Sequence, residues 1–192
     1  MLTEIWYYMI GTYVCMEAFM IFVSGIHGVG KTYFCNMVKD KLGINNYSAS
    51  QLIAGRREKG FSADKFVSDI DDNQVLLLNA INELRQTGEE FILDGHFCLL
   101  NEEGVITRIP METYTLLKPD TMILLLESPK IIAERRFQRD GIRQDECTIN
   151  DFQCAEKAYA IEIAGQLNIP LEVSSGASDL GRIVEIIKTG GC

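Results

Sequence analysis

Residues 25–32, Gly25-Ile26-His27-Gly28-Val29-Gly30-Lys31-Thr32, fit the phosphate-binding loop pattern G-x-x-x-x-G-K-[ST] at every fixed position. An uncharged apolar run at residues 20–23 precedes the loop and is typical of a buried parallel strand. Residues 32–42 follow it with the apolar spacing of a helix. Strand, glycine loop and helix thus stand in the order that the pattern requires, which favours a phosphate site over a chance match in a tight turn.

The chemistry of anion binding explains the residue types in this loop. Glycines at 25, 28 and 30 allow positive φ, so that backbone N–H groups can surround an anion at the N-terminus of a helix. Lys31 can reach the β- and γ-phosphates of a polyphosphate, and the Thr32 hydroxyl can join the shell of a bridging Mg²⁺. We expect Lys31 to lie at a solvent-facing anion site rather than in the core.

Composition limits the class of protein. A chain of 192 residues, 47% hydrophobic and 23% charged, suits one well-buried core, and a second full domain is not expected. The net charge of −9 argues against a broad nucleic-acid or anionic-membrane surface, because such surfaces use excess Lys and Arg. The six cysteines include no C-x-x-C pair and there are only two histidines, so a zinc site is poorly supported and a reducing, cytoplasmic compartment is expected.

The first nineteen residues are strongly apolar but do not resemble a targeting segment. No Lys or Arg stands before position 31, Glu4 and Glu17 bracket the apolar run, and the run is too short to span a bilayer. We therefore expect residues 1–19 to form a packed or frayed extension without a membrane role. Met16 or Met20 could also be the natural start, and the expected domain spans residues 20–192.

After the loop, short apolar strands alternate with helical stretches, the pattern of a parallel sheet with helices on both faces. The first half is predicted to hold a weak strand at 46–49, a short helix at 51–54, a mobile polar segment at 55–64, and a helix capped by Asp71-Asp72 that ends near Gln86. The second half is predicted to hold a hairpin at 97–108, a helix at 111–117, a strand at 120–126, a helix from Ser128-Pro129, a helix at 151–167, a strand at 171–173 and a helix at 180–187.

A strand at residues 91–94 delivers Asp94-Gly95-His96 to its carboxyl end, where ligands bind in open α/β sheets. A carboxylate there, beside a phosphate loop, can hold Mg²⁺ directly or through water as the acidic partner of Thr32. The alternative is that Asp94 only caps the following turn.

Four arginines, Arg135, Arg136, Arg139 and Arg143, fall within nine residues of this acidic chain. Arg135 and Arg139 share a helical face and would repel each other unless an anion lies between them, which favours a clamp on a transferring phosphoryl group. The alternative is a solvated charge mosaic with neighbouring carboxylates. Arg136 is expected to point about 100° away from Arg135. Residues 139–150 are polar, lie between two helices, and are predicted to form a small lid.

These motifs, with Asn46-Tyr47, resemble in order and spacing the P-loop nucleoside-monophosphate kinases, most closely the short-lid, archaeal-type adenylate kinases and adenylate-kinase-like ATPases. The resemblance covers about residues 20–188. It implies an α/β, three-layer P-loop NTPase fold with a five-stranded parallel sheet of order 2-3-1-4-5. It also implies transfer of the ATP γ-phosphate to a nucleoside monophosphate with Mg²⁺, between a flap at about 50–70 and an arginine-bearing lid.

The same resemblance implies roles for individual residues. Catalysis would rest on four cations, Lys31, Arg135, Arg139 and Arg143. Mg²⁺ would be held by Thr32 and Asp94, and the loop 174–177 would lie beside the base of ATP. ATP would be bound by Gly25, Ile26, His27, Gly28, Val29, Gly30, Lys31, Thr32, Tyr33 and Arg135.

The chain departs from the bacterial and eukaryotic adenylate kinases where they bind the acceptor. They carry Phe-Pro-Arg after the strand that here ends in Asp94-Gly95, whereas this chain has His96-Phe97-Cys98. Their flap arginine is replaced by Ala54, and only Arg56 and Arg57 could take its place. Three interpretations stay open: a nucleotide kinase, an ATPase or kinase for another small-molecule or nucleic-acid hydroxyl, and a nucleotide-binding regulator without turnover. The sequence gives no indication of oligomeric state.

Overall fold

The computed structural model describes residues 18–58, 69–101, 103–141 and 143–189. The predicted N-terminal extension, residues 1–19, lies outside the described residues apart from Ala18 and Phe19, and so does the middle of the flap, residues 59–68. Along the chain the elements are β1 (Met20–Ser24), α1 (Lys31–Leu42), β2 (Asn45–Ser48), α2 (Ala49–Glu58), α3 (Asp69–Gln86), β3 (Phe91–Asp94), β4 (Cys98–Leu100), β5 (Ile106–Arg108), α4 (Met111–Leu117), β6 (Thr121–Leu125), α5 (Pro129–Asp140), α6 (Glu146–Leu167), β7 (Leu171–Ser174), a 3₁₀ turn (Gly176–Asp179) and α7 (Leu180–Lys188).

Five strands form one parallel sheet in the order β2-β3-β1-β6-β7. When the hairpin strands β4 and β5 are left out and the five strands of this sheet are numbered in chain order, the order is 2-3-1-4-5, which confirms the prediction. β1 lies in the middle and β6 beside it, and both are buried along their whole length, as expected for uncharged runs covered on both faces. β4 and β5 pair separately as an antiparallel hairpin.

The helices fall into two groups, which gives the predicted three-layer α/β architecture. α1 packs against α7, whereas α3 contacts α4 and α6 contacts both α4 and α5. Apolar side chains of the sheet and of both helix groups form one core, in which the most buried members include Ile21, Phe34, Ile92, Ile123, Ile163 and Ile183. No helix among the described residues is both long and apolar enough to cross a bilayer.

Three predicted boundaries are wrong. α2 runs through Glu58, so the segment expected to be mobile from residue 55 begins as helix. α3 begins at Asp69, so Asp71-Asp72 lie within the helix rather than at its N-cap. The carboxylate of Asp145 accepts from the N–H of Thr148 at 3.0 Å. Because this contact caps α6, the helix predicted at 151–167 begins at Glu146 instead, and the lid predicted at 139–150 stays a prediction.

Candidate active site

The glycine loop between β1 and α1 has the backbone of an anion-binding nest. Gly25, Gly28 and Gly30 have φ angles of +140°, +82° and +110°, so the prediction of positive φ at these positions is confirmed. The side chains of Ile26 and Val29 are buried in the core, and therefore these two residues offer a ligand only their backbone groups. The exposed Tyr33 and Thr32 side chains follow on the first turn of α1 and line the same cleft.

Lys31 lies beneath the loop rather than at a solvent-facing position, and that prediction is wrong. Its side chain is only 8% exposed, and Nζ donates to the carbonyl of Gly25 at 2.5 Å. Nζ also lies 3.0 Å from Nε2 of His96 and 3.9 Å from Oδ1 of Asp94. Burial lowers the pKa of Lys31, and the nearby carboxylate of Asp94 opposes that shift.

The parallel register of β1 with β3 brings Asp94 and His96 to the loop. Val23 pairs with Asp94, and the N–H of Gly95 donates to the Val23 carbonyl at 2.9 Å. Burial raises the pKa of Asp94, with Lys31 acting in the opposite direction. Burial, followed by the charge of Lys31, lowers the pKa of His96 to about 2. His96 is therefore neutral at physiological pH, and its Nε2 can accept a hydrogen bond from the Lys31 ammonium group.

Asp94 and Thr32 are suitable ligands for Mg²⁺. Both offer hard oxygen atoms, and Mg²⁺ usually takes one or two protein ligands together with phosphate oxygens and water. Across the described ranges, no cluster of three or more His, Cys, Asp or Glu side chains could form an all-protein metal cage. The donor set therefore fits a metal that arrives with a phosphate substrate better than a resident metal.

Two arginines of α5 hold the carbonyl groups of the loop. Arg135 donates to the Val29 carbonyl at 2.9 Å and to the Glu127 carboxylate at 3.2 Å. Arg136 donates from Nε to the His27 carbonyl at 2.8 Å, and its guanidinium also bonds the Gln144 side chain. The sequence analysis expected Arg136 to point about 100° away from Arg135. In the structure Arg136 is only 6% exposed, and it lines the same cleft as Arg135.

The other two arginines lie further out. Arg139 is exposed and pairs with the neighbouring Asp140, with Nε and Nη2 at 2.7 and 2.6 Å from its carboxylate oxygens. The guanidinium of Arg143 stacks 5.3 Å above the ring of Phe137. The structure thus brings Arg135, Arg136 and Arg139 to one cleft and leaves Arg143 off its lining.

The cleft has a volume of about 810 Å³ and joins the loop to the flap. Its loop end is formed by the nest, Lys31, Asp94, His96 and the three arginines. Its flap end is formed by α2, α3, α4 and the residues that flank or belong to the hairpin. The apolar part of the flap end includes Ile53, Leu77, Leu99, Ile109 and Leu117, and the polar part includes Ser48, Ser50, Arg57, Asn73, Gln74 and Thr113.

The polar residues at the flap end include an arginine and two side chains with unpaired buried atoms. Arg56 is paired with Glu83 at 2.6 Å, so of the two flap arginines Arg57 is the one that lines the cleft. Two buried polar atoms on the lining residues have no hydrogen-bond partner in the described structure, namely Nε2 of Gln74 and Oγ1 of Thr113. Leaving buried polar atoms unpaired is costly, typically about 1–3 kcal/mol each, unless a ligand satisfies them.

Sequence reasoning missed two residues of α6 that support this cleft. Gln153 is buried, and its amide accepts from the N–H and donates to the carbonyl of Glu127, the partner of Arg135. Glu156 is fully buried and accepts two backbone N–H groups just after His96. The sequence does contain a sign of Glu156. It is a charged residue on a helical face that is otherwise apolar, because Phe152, Tyr159 and Ile163 are the core residues around it.

Comparisons with known proteins agree with this geometry. A family profile described as an AAA domain matches residues 24–153. A provisionally assigned adenylate kinase of Methanocaldococcus jannaschii is 30% identical over 122 residues, which is 62% of this chain and 58% of that protein. The chain thus spans less than two thirds of that relative. An adenylate kinase of Pyrobaculum aerophilum is 29% identical over 154 residues, covering 75% of this chain and 78% of the relative.

A solved structure shows the same fold at a lower level of identity. The shikimate kinase of Bacteroides thetaiotaomicron superposes with a TM-score of 0.52 and 14% identity, over 88% of this chain and 98% of that one. The matched family profile begins at the end of β1 and ends within α6, so it includes the loop, the Asp94-Gly95-His96 segment and the arginine helix. The matched profile covers more than half of the chain, and the chain therefore belongs to the family of AAA domains that this profile describes.

Proposed function

We propose that this protein is an adenylate-type nucleoside-monophosphate kinase that transfers the γ-phosphoryl group of ATP. The observation that carries the proposal is the continuity of one cleft from the phosphate loop to an apolar flap end. The apolar residues of this end suit the flat face of a nucleobase, and the polar residues beside them can bind its edge and the acceptor phosphate. The archaeal relatives named as adenylate kinases support the same choice.

The reaction needs no strong base in the protein. An oxygen of the acceptor monophosphate attacks the γ-phosphorus of ATP, the bond from that phosphorus to the β,γ-bridging oxygen breaks, and ADP leaves with the electron pair. Phosphate monoesters lose their second proton near pH 6, so the acceptor oxygen needs no further activation. The protein supplies position and positive charge, which dominate catalysis of phosphoryl transfer.

Each part of the cleft has a role in this reaction. The nest and Lys31 would bind the β- and γ-phosphates, and for this Nζ of Lys31 must exchange its bond to the Gly25 carbonyl for a phosphate oxygen. Arg139, together with Arg135, would face the transferring group, and Arg57 would pair with the acceptor phosphate. Thr32 and Asp94 would hold Mg²⁺, which neutralises charge on the β- and γ-oxygens when it is bound.

The free thiols support a reducing, cytoplasm-like compartment for this enzyme. Cys35 and Cys98 are buried, Cys147 and Cys154 are exposed, and none of the four is in a disulfide. Exposed unpaired thiols are typical of proteins from reducing compartments.

The test is a panel of acceptors incubated with ATP and Mg²⁺, with nucleoside diphosphate resolved from free phosphate. The panel includes the common nucleoside monophosphates, nucleosides, small sugars and RNA ends, and Lys31→Met is the control. We expect nucleoside diphosphate to form from one or a few monophosphates and not with the variant. Free phosphate without any phosphorylated product would refute the kinase proposal in favour of an ATPase, and a product from a sugar or nucleoside would refute the monophosphate acceptor.

A further inference from the structure

A carboxylate that the proposed reaction does not use lies in the core behind the site. Glu156 on α6 is 0% exposed, and it accepts the backbone N–H of Phe97 at 2.9 Å with Oε1 and that of Cys98 at 2.6 Å with Oε2. Both oxygens are thus engaged by the two residues that follow His96. The backbone N–H of Gly25, at the start of the phosphate loop, also favours its charged form.

The segment that Glu156 holds carries the groups opposite Lys31. On its other side, the hydroxyl of Tyr114 donates to the carbonyl of His96 at 2.7 Å. Two buried side chains therefore fix the backbone of residues 96–98, and this backbone places Nε2 of His96 at 3.0 Å from Nζ of Lys31. Phosphoryl transfer depends on such placement, because a misplacement of about 1 Å can cost about 10²-fold in rate.

We propose that Glu156 is a positioning residue for phosphoryl transfer, whose ionised carboxylate fixes the backbone of Phe97 and Cys98 and so sets His96 against Lys31. The inference rests on the proposed kinase function. Only the ionised form accepts with both oxygens, because a protonated carboxyl presents an O–H to one of the two donors. The site is thereby coupled to the protonation of one buried group.

The surroundings of Glu156 make this coupling operate near neutral pH. Burial raises the pKa of Glu156 to about 6, opposed by the backbone N–H groups and by Lys31. The other titratable groups that face it are the thiol of Cys98 and the hydroxyl of Tyr114, whose own pKa values are raised by burial. Both stay neutral below pH 8, so Lys31 is the charged neighbour in that range.

The main variant is Glu156→Gln, which keeps the shape but replaces one acceptor oxygen with a donor. The matched control is Glu162→Gln on the same helix, where an exposed carboxylate pairs with Arg108. We expect Glu156→Gln to lower kcat at least 10-fold while changing the KM for ATP less than 3-fold, and Glu162→Gln to change neither. Equal kcat in the two variants would overturn the proposal, and so would a loss confined to KM.

The pH profile separates positioning from a purely structural role. A carboxyl with a raised folded-state pKa binds more protons folded than unfolded between about pH 4.5 and 6, so its protonation stabilises the fold as pH falls. Relative to Glu156→Gln, the wild-type protein should therefore gain thermal stability from pH 7 to 5 while its kcat advantage shrinks toward one. If the Tm and the kcat of the wild-type protein, each relative to Glu156→Gln, both fell from pH 7 to 5, the proposal would be overturned. The titration of the substrate phosphates affects both proteins equally and therefore cancels in this comparison. If Glu156→Gln does not fold, Glu156→Asp, which shortens the carboxylate by one methylene, replaces it in the kcat comparison with Glu162→Gln, and equal kcat in these two variants overturns the proposal.

Amide hydrogen exchange tests the contact independently of turnover. At one pH, the N–H groups of Phe97 and Cys98 should exchange at least 10-fold faster in Glu156→Gln than in Glu162→Gln. Unchanged exchange would overturn the inference even if the kinase assay succeeds. Absence of transfer by the wild-type protein would instead refute the proposed function, and the exchange result would still decide whether Glu156 holds the segment.

Discussion

At the residue scale, Lys31 shows how a functional charge is kept at a cost in stability. It is buried, and its pKa is lowered chiefly because burial disfavours the ammonium ion. We expect Lys31→Met, which keeps the volume of the side chain, to lower kcat by about 10²-fold or more without lowering the thermal midpoint. Steady-state kinetics and thermal unfolding would check this, and near-wild-type turnover would show that the phosphate-loop assignment is wrong.

Asp94 can be tested separately from ATP binding. Its carboxylate lies beside the loop at the tip of β3, where it is half-buried and 3.9 Å from Lys31. Asp94→Asn should raise the Mg²⁺ concentration needed for half-maximal activity much more than it weakens ATP binding in EDTA, because the amide is a poor ligand for Mg²⁺. An unchanged Mg²⁺ dependence would demote Asp94 to a turn cap.

The four arginines should divide into two groups when each is replaced by Ala. Arg136 is buried against the His27 carbonyl, so Arg136→Ala should lower the thermal midpoint and raise the KM for ATP. Arg139 is exposed, so Arg139→Ala should lower kcat by about 10²-fold with little change in stability. Arg135→Ala should affect both, because Arg135 contacts the Val29 carbonyl and lines the cleft.

Arg143→Ala provides the comparison for this series. Its guanidinium lies over Phe137 and not on the cleft lining, so we expect the smallest kinetic effect from it. Steady-state kinetics with thermal unfolding of the four variants would distinguish these outcomes. If all four variants kept nearly wild-type kcat and KM, the arginine cluster would be a solvated charge mosaic. A nucleotide-binding regulator without turnover would then be favoured over a kinase.

At the scale of elements, the glycine loop depends on the close approach of two strands. A Cβ on Gly25 would lie 2.7 Å from the Leu125 carbonyl, whereas one on Gly43, at the end of α1, would meet nothing within 4 Å. Both residues have positive φ, at +140° and +74°. Gly43→Ala should therefore cost only the backbone strain of about 1–2 kcal/mol, and Gly25→Ala should cost more and weaken ATP binding. If denaturant unfolding showed the same loss in the free energy of unfolding for both variants, the contact of a Cβ at position 25 with the Leu125 carbonyl would add no cost.

The sequence predicted the elements whose cause is local. The loop pattern, the uncharged runs of β1 and β6, and Ser128-Pro129 before α5 each depend on residues near in the chain, and the structure has those elements. The position of Lys31 and the contacts of Arg136 could not be predicted in this way, because the partners of Arg136 are brought together by packing of α5 on the loop. Glu156 was missed for the same reason, since its partners are 58 and 59 residues away in the chain.

At the scale of the whole molecule, the cleft gathers positive charge in an acidic protein. The chain has a net charge of −9, yet the described residues that line the cleft include Lys31, Arg57, Arg135, Arg136 and Arg139 against the single carboxylate of Asp94. A concave site lined by one sign of charge concentrates the potential locally and attracts anionic substrates. The cleft is thus a locally electropositive site within a chain whose net charge is negative, as the proposed phosphate binding requires.

Continuity of this cleft leads to a prediction about linked substrates. If ATP and the monophosphate occupy its two ends together, a bisubstrate analogue that joins them through their phosphates loses translational freedom only once on binding. At equal concentration it should raise the thermal midpoint more than ATP and the monophosphate added together, because the shift grows with ligand concentration over Kd. Arg57→Ala should remove most of that excess while leaving the shift by ATP alone unchanged, since Arg57 lies at the flap end. A shift no larger than that of ATP would mean that the acceptor does not bind in this cleft.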